Sequence, residues 1–484
     1  MPAYYLEFAV VVLGLVLLLA EAFTGPGRKR TVAYAALAGL AVVFCLLFAV
    51  RPHEGCDCTM WTFYTDDRLS LFYKGLSLVC TAVVIILSLE YQPVLEKFSA
   101  RAGGGAAIGE FFCLPVFICA GLMWMASAID ITTIFISLEL VTIAFYVMVG
   151  YMRRNVGSLE AGVKYLILGA LSTGFLVYGL AWLFGVTGQT SLAAITDALG
   201  QADVEKTPAL FAFALILVAL CFKVAAVPFH FWVPDVYQGA PTPVTAFLSV
   251  GSKAAGFVIA GRLTAPFLAS PALANTCGAL LIAVAAATLL LGNLAAIPQS
   301  NFKRLLAYSS ISHAGFLVLA LSGTTGGMDL TPFQIIAFYL AAYLFMTLLC
   351  FGVLAVINRS HGSDDLRGFD GLHQRSPFLA FALLIGVASL AGVPLTAGFL
   401  GKFFVFLAAA GAGQWLALGI AVAGAAAGFY YYLKVLRSAY WQTAPSGSGE
   451  PISLSPLLKG TMIVLIAATL VFGVWPQPVL SLLK

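Results

Sequence analysis

Apolar residues run through this chain in blocks of about 20, the length that crosses the hydrocarbon core of a bilayer as a helix. Turn-forming and charged residues separate the blocks, and no soluble domain interrupts the series. The pattern predicts fourteen spans, at 3–23, 31–50, 69–90, 111–129, 131–151, 159–185, 208–228, 241–262, 273–292, 300–321, 331–357, 377–409, 413–440 and 457–475. The twelfth is too long for one straight crossing. It contains Gly392, Pro394 and Gly398, so it reads as two half-helices joined by an unwound piece. The seventh is interrupted at Pro228, five residues after Lys223. The expected fold is therefore an all-α polytopic membrane protein with discontinuous helices 7 and 12.

Basic residues set the expected orientation. Loops after odd-numbered spans hold Arg28, Lys29, Arg30, Lys97, Arg101, Arg153, Arg154, Lys303, Arg304, Arg359, Arg367, Arg375 and Lys459. Loops after even-numbered spans hold only Arg51, Arg68, Lys206 and Arg262. Lys and Arg concentrate on the cytoplasmic side, which places both termini on the other side. The first block, 4–23, is too long for a signal-peptide core and has no basic stretch before it, so it reads as a retained span.

The two interrupted spans suggest an internal repeat. One five-span unit (111–263, helices 4–8) has Lys223 before its proline; a second (264–440, helices 9–13) has Lys402 after Pro394. Units with an odd number of crossings run in opposite directions, so inversion accounts for the exchanged order. A three-helix segment (1–110) precedes them and a last helix (441–484) follows.

Composition sharpens the class. Only 10% of the 484 residues are charged, against about 25% in soluble domains. The small net charge of +4 and its scatter argue against nucleic acid as a partner. Most of the nine cysteines lie in apolar spans as small hydrophobes. Cys56 and Cys58 sit in a loop with His53 and Asp57, where C-x-C with one histidine is not a zinc spacing and offers too few thiolates for an iron–sulfur cluster. A local disulfide or two free thiols fits better. No cysteine pattern supports a metal or redox cofactor in this chain.

Five ionisable residues carry the candidate chemistry: Glu139, Lys164, Lys223, Lys253 and Lys402, in spans five, six, seven, eight and twelve. A charge at the bilayer centre costs about 2.5–3.5 kcal/mol on the insertion scale and rarely persists without a use. One acid and four bases cannot all pair. Burial disfavours an amine's charged form and a nearby carboxylate favours it, so a lysine held between the two can take and release a proton. Such groups linked by water make a proton relay. Lys164, about five residues from the cytoplasmic end of its span, fits snorkelling equally well. His230, in PFHFW, is either a proton acceptor or a hydrogen-bonded loop residue. His313, in AYSSISHAGF, is either a packed core histidine or part of a water-lined path beside Ser309, Ser310 and Ser312. His361 and His373 receive no role. Asp235 after Pro234 suits a turn. Glu90, Glu110 and Asp130 fall at span ends within reach of water, and Tyr430–Tyr432 reads as an interface belt or helix contact.

With these residues in place, the chain resembles the antiporter-like membrane subunits of respiratory complex I, and among them the N type of bacterial NADH:quinone oxidoreductase. The resemblance runs over nearly the whole length and rests on KVAAVPFHFWVPDVYQGAPTPVTAF, NFKRLLAYSSISHAGF and SLAGVPLTAGFLGKF. It implies two inverted five-helix units, with the family's helix-five glutamate on Glu139, its broken-helix lysine on Lys223, the lysine between half-channels on Lys253 and the terminal ionisable residue on Lys402. SVGSKAAGF in span eight, a lysine rather than glutamate at 402, and the end at Lys484 point to the N type; the chloroplast-type counterpart is the nearest alternative.

The resemblance implies proton translocation in an inner membrane, coupled to electron transfer in other subunits. NADH, FMN, iron–sulfur clusters and quinone are expected there, and an M-type subunit and small K, J and A types are the expected partners in the bilayer. A subunit of a multisubunit sodium/proton antiporter is the rival. Sodium wants oxygen ligands, and Glu139 reads as the one buried carboxylate. A third reading is a scaffold whose charges only lock helices together.

Overall fold

The computed structural model describes residues 2–50, 62–99, 108–201, 205–322, 330–443 and 452–483; Arg51, His53, Cys56, Asp57, Cys58 and Arg101 lie outside them. The described chain is almost wholly helical: α1 (Tyr4–Phe23), α2 (Arg30–Leu47), α3 (Arg68–Ser99), α4 (Gly109–Ser127), α5 (Ile131–Val149), α6 (Val156–Thr187), α7 (Leu192–Leu199), α8 (Lys206–Val224), α9 (Trp232–Gly239), α10 (Thr242–Phe247), α11 (Lys253–Ala269), α12 (Ala274–Ala296), α13 (Phe302–Ser322), α14 (Pro332–His361), α15 (Leu372–Arg375), α16 (Pro377–Ala391), α17 (Ala397–Gly411), α18 (Trp415–Trp441), α19 (Pro456–Val474) and α20 (Gln477–Leu483). Among the described residues thirteen helices are long and apolar enough to cross a membrane, α10 and α11 counting as one. The shorter apolar pair α16 and α17 supplies the fourteenth crossing in two halves.

Helix starts follow local chemistry. The Asp130 side chain accepts from Thr132 N at 2.8 Å to open α5, and Asn155 accepts from Ser158 N to open α6. Thr331 and Gln334 form a capping box ahead of Pro332 on α14. Ser376 and Ser455 cap α16 and α19, each with a proline following, by accepting from Leu379 N and Leu458 N. These caps matter because orphaned N–H groups near the lipid have little water to turn to.

The centre of the bundle is α10–α11, α13 and α14. The most apolar stretch of each is between 89% and 100% buried, against 33% for α1, α6, α18 and α19 on the outside. Lys253 lies on this inner set, and Lys223 and Lys402 lie on α8 and α17, which pack against it; Glu139 and Lys164 lie further out, on α5 and α6.

Helix α9 presses on α6 with glycine at the contact. A Cβ on Gly239 would fall 2.3 Å from the Gly157 carbonyl oxygen, a backbone atom that cannot swing away. Gly239→Ala is therefore expected to cost about 1–3 kcal/mol through overpacking. A lowered thermal midpoint of the purified assembly checks this.

Candidate functional site: a buried lysine axis

The two interrupted spans break by the same device. After α8, Ala225 adopts φ 67°, its N–H bonds the Phe222 carbonyl, and Ala226 N bonds Cys221 O at 2.7 Å. After α16, Gly392 adopts φ 90°, its N–H bonds Ser389 O, and Val393 N bonds Ala388 O at 3.0 Å. Both are Schellman caps, which satisfy some of the last carbonyls and leave others free at the negative end of the helix dipole. In the first break the Trp232 indole on α9 donates to Phe222 O at 3.0 Å. In the second, the Lys402 amine on α17 reaches back and donates to Leu390 O and Ala391 O, both at 2.8 Å. A cation suits that place. Gly392 is required twice over, because its φ disfavours a side chain and a Cβ would meet Lys402 Cδ at 3.1 Å.

Lys223 lies in the last turn of α8, buried, and donates to Thr142 Oγ1 on α5 at 2.9 Å. Glu139 is one helical turn earlier on α5. It is half-buried and accepts from Thr173 Oγ1 on α6 at 2.8 Å. Glu139 and Lys223 act on each other electrostatically without forming a direct ion pair. Thr142, Thr173, Ser172 and Lys223 line one small cavity between α5, α6 and α8. It leaves about 20 Å³ for the centre of a water-sized sphere, room for about one water.

Lys253 opens α11 directly after a π-helical turn, Leu248–Ser252, a distortion that interrupts the regular bonding just ahead of the amine. Its amine donates to the Ser310 carbonyl and to Ser310 Oγ on α13, and lies 5.5 Å from the centre of the Tyr343 ring. Ser310 Oγ also meets Tyr237 Oη on α9 at 3.3 Å, and Tyr343 Oη meets Ser249 Oγ at 3.0 Å. One turn along α13, His313 is buried between Tyr339 Oη at 2.8 Å and Tyr432 Oη at 3.3 Å. Tyr432 in turn bonds Ser309. Charge on either Lys253 or Lys402 reaches this ring. Lys402 closes the series, its amine 5.4 Å from the centre of the Phe316 ring.

Two residues from the same set stand apart. Lys164 has a 41% exposed side chain and pairs with Glu160 and with Asp235, each at 2.7 Å. His230 is buried in the break between α8 and α9, and its Nδ1 has no hydrogen-bond partner among the described residues. The ring still hydrogen-bonds the backbone at Pro228, as the loop context suggested, but it is buried rather than at the surface.

Several expectations need correction. Asp235 is not a turn residue: it belongs to α9 and joins Lys164 on α6 to Arg304 on α13, the latter at 2.9 Å. Glu90 is buried and bonds Arg359, because α14 closes over the end of α3. Lys303 and Arg262 are buried rather than in loops: Lys303 reaches Ala240 O and Asp364 Oδ2 at 3.1 Å, and Arg262 on α11 donates to Ala128 O at 2.7 Å. Tyr431 and Tyr432 are buried contacts and only Tyr430 is exposed. Most importantly, Glu139 is not the one buried carboxylate. Glu7 on α1 and Lys74 on α3 are fully buried and paired at 2.9 Å, with Tyr64 Oη donating to the same carboxylate oxygen at 3.0 Å. The signal was present in the sequence, since Glu7 and Lys74 fall within the apolar blocks 3–23 and 69–90.

A family model described as NADH:quinone oxidoreductase/Mrp antiporter, TM, matches residues 128–427. NADH-quinone oxidoreductase subunit N 1 of Koribacter versatilis is 38% identical over 99% of this chain and 92% of that one. Subunit N 2 of Solibacter usitatus is 40% identical over 96% and 88%. This chain belongs to the NADH-quinone oxidoreductase subunit N family. Among solved structures, a chain of Thermus thermophilus respiratory complex I matches with TM-score 0.80 and 31% identity, covering 98% of each chain. The Mrp complex of a Dietzia species matches with TM-score 0.82 at 21% identity, which speaks to the fold alone. As a subunit N relative, the chain is one part of a multisubunit membrane complex.

Proposed function

We propose that this chain is the proton-translocating N subunit in the membrane arm of an NADH:quinone oxidoreductase, and that Glu139, Lys223, Lys253 and Lys402 carry the proton. The observation that carries this reading is the row of exchangeable groups from Glu139 through Thr173, Thr142 and Lys223, and from Tyr237 and Ser310 through Lys253, His313 and Tyr432 toward Lys402. Among the described residues no carboxylate pairs directly with Lys223, Lys253 or Lys402. Hydroxyls, a ring and carbonyl ends hold these amines, which leaves each able to exist with or without its extra proton. His313 is a relay member in this reading, while His230 and Lys164 border the path.

Electron transfer proceeds in other subunits, where the NADH, flavin, iron–sulfur and quinone chemistry belongs. It changes the charge state of a neighbouring membrane subunit, and Glu139 responds first. Support for that order is Glu139's half-buried position beside the exposed apolar strip Ile136, Leu140, Ile143 and Val147. The neighbours are an M-type subunit and the small K, J and A types, in a cell inner membrane with both termini outside the cytoplasm. The two five-helix units, 111–263 and 264–440, each supply one break, and Lys253 bridges them. The sodium antiporter reading ranks behind, since the buried carboxylates Glu7, Glu21 and Glu90 already hold Lys74, Lys29 and Arg359.

Lys402→Met tests the exit end. Its shape is close and its proton is gone, so proton uptake by the reconstituted complex per NADH oxidised is expected to fall while assembly persists. Unchanged stoichiometry in fully assembled complex would remove Lys402 from the path.

A further inference from the structure

A cleft on the bundle's edge, away from the lysine axis, has the chemistry of a headgroup site. It lies where α2 begins and α3 and α14 end, beside the start of α19, and measures about 340 Å³. Two guanidiniums line it. Arg30 donates from Nε to Gln92 Oε1 at 2.7 Å, and Arg359 bonds Glu90 and the Ser453 carbonyl. One helical turn further into the bundle the lining turns apolar, with Tyr34, Leu89 and Leu457. Tyr34 is 54% and Leu457 41% exposed, so the cleft opens sideways between helices rather than only at their ends.

We infer that this cleft binds one anionic phospholipid, its phosphodiester at the arginines and its acyl chains along Tyr34, Leu89 and Leu457. The charge count selects the occupant. Two arginines against the Glu90 carboxylate leave one positive charge, which matches a single phosphodiester with a neutral headgroup substituent, of the phosphatidylglycerol class. Glu96 is reached only through Gln92 and does not line the cleft. A zwitterionic lipid brings a second cation to a site that already carries an excess. A free phosphate ion leaves the apolar half of the cleft unfilled. The end of the bundle is right for this chemistry, because Arg28 lies beside Arg30 there. Arginine presents its planar donors to a phosphate in pairs, and tyrosine sits where apolar chain meets headgroup.

The test uses the whole assembled oxidoreductase in lipid nanodiscs with a photoactivatable phosphatidylglycerol. Label is expected on peptides of α2 and the start of α19, displaced by unlabelled phosphatidylglycerol and not by phosphatidylcholine. Arg30→Gln, at an exposed position, is expected to lower it about fivefold, the factor one basic residue contributes at an anionic membrane surface. Competition by phosphatidylcholine overturns the proposal, since any lipid would then fill the cleft. Competition by millimolar inorganic phosphate overturns it in favour of a free anion. Absence of label in the assembled complex overturns it too, as a neighbouring subunit seated there would produce. The competition arms need no variant, so a poorly assembling Arg30→Gln leaves the result decisive.

Discussion

Lys223→Ala is expected to abolish proton translocation and to slow coupled quinone reduction by about a hundredfold, the lower end of what a positioned proton-transfer group contributes. The reason lies in its place. Lys223 is the amine nearest Glu139, held by Thr142 at the edge of a cavity with room for one water. Lys223→Arg separates transfer from structure. Arginine keeps the charge at the C-terminal end of α8 but does not release its proton in proteins. If Lys223 only locks helices, the arginine variant works; if it passes a proton, the arginine variant fails while assembly survives. Proton-to-electron ratio in reconstituted vesicles, with the amount of assembled complex measured alongside, reads the difference. A normal ratio in Lys223→Ala would end its assignment to the path.

Glu7→Ala is expected to destabilise the chain by about 3–5 kcal/mol, because it leaves the Lys74 ammonium fully buried without its counter-ion. The pair ties α1 to α3 with Tyr64 as a third member. Breaking one side strands a charge, whereas removing both need not. Glu7→Leu with Lys74→Met is therefore expected to recover most of the loss, within about 1 kcal/mol of the parent. Thermal unfolding of the purified complex and the yield of assembled subunit check both. If the double variant is stable yet pumps poorly, the pair has a part in transport as well.

The fold was legible for a physical reason. A lipid environment forces every backbone group to bond within its own helix, so hydropathy alone locates the crossings, including the split one at Gly392 and Pro394. The amines at 223, 253 and 402 were legible because a lysine in an apolar block needs a cause. What holds them was not. Ser310, Tyr237 and Tyr432 come from α13, α9 and α18, and nothing in their local sequence says that they converge. Asp235 was misread because a residue after proline suits both a turn and the first turn of a helix, and only the neighbours on α6 and α13 decide. Glu7 and Lys74 escaped notice because they lie in the three helices before the motif-bearing segment. Their environment was as telling as that of Lys223.

The narrow space beside Lys223 has a consequence for timing. A passage wide enough for a single molecule admits no partial filling: its occupant is there or it is not. In the proposed relay, proton exchange between the acid on α5 and the amine on α8 would then be a contact that is made or broken.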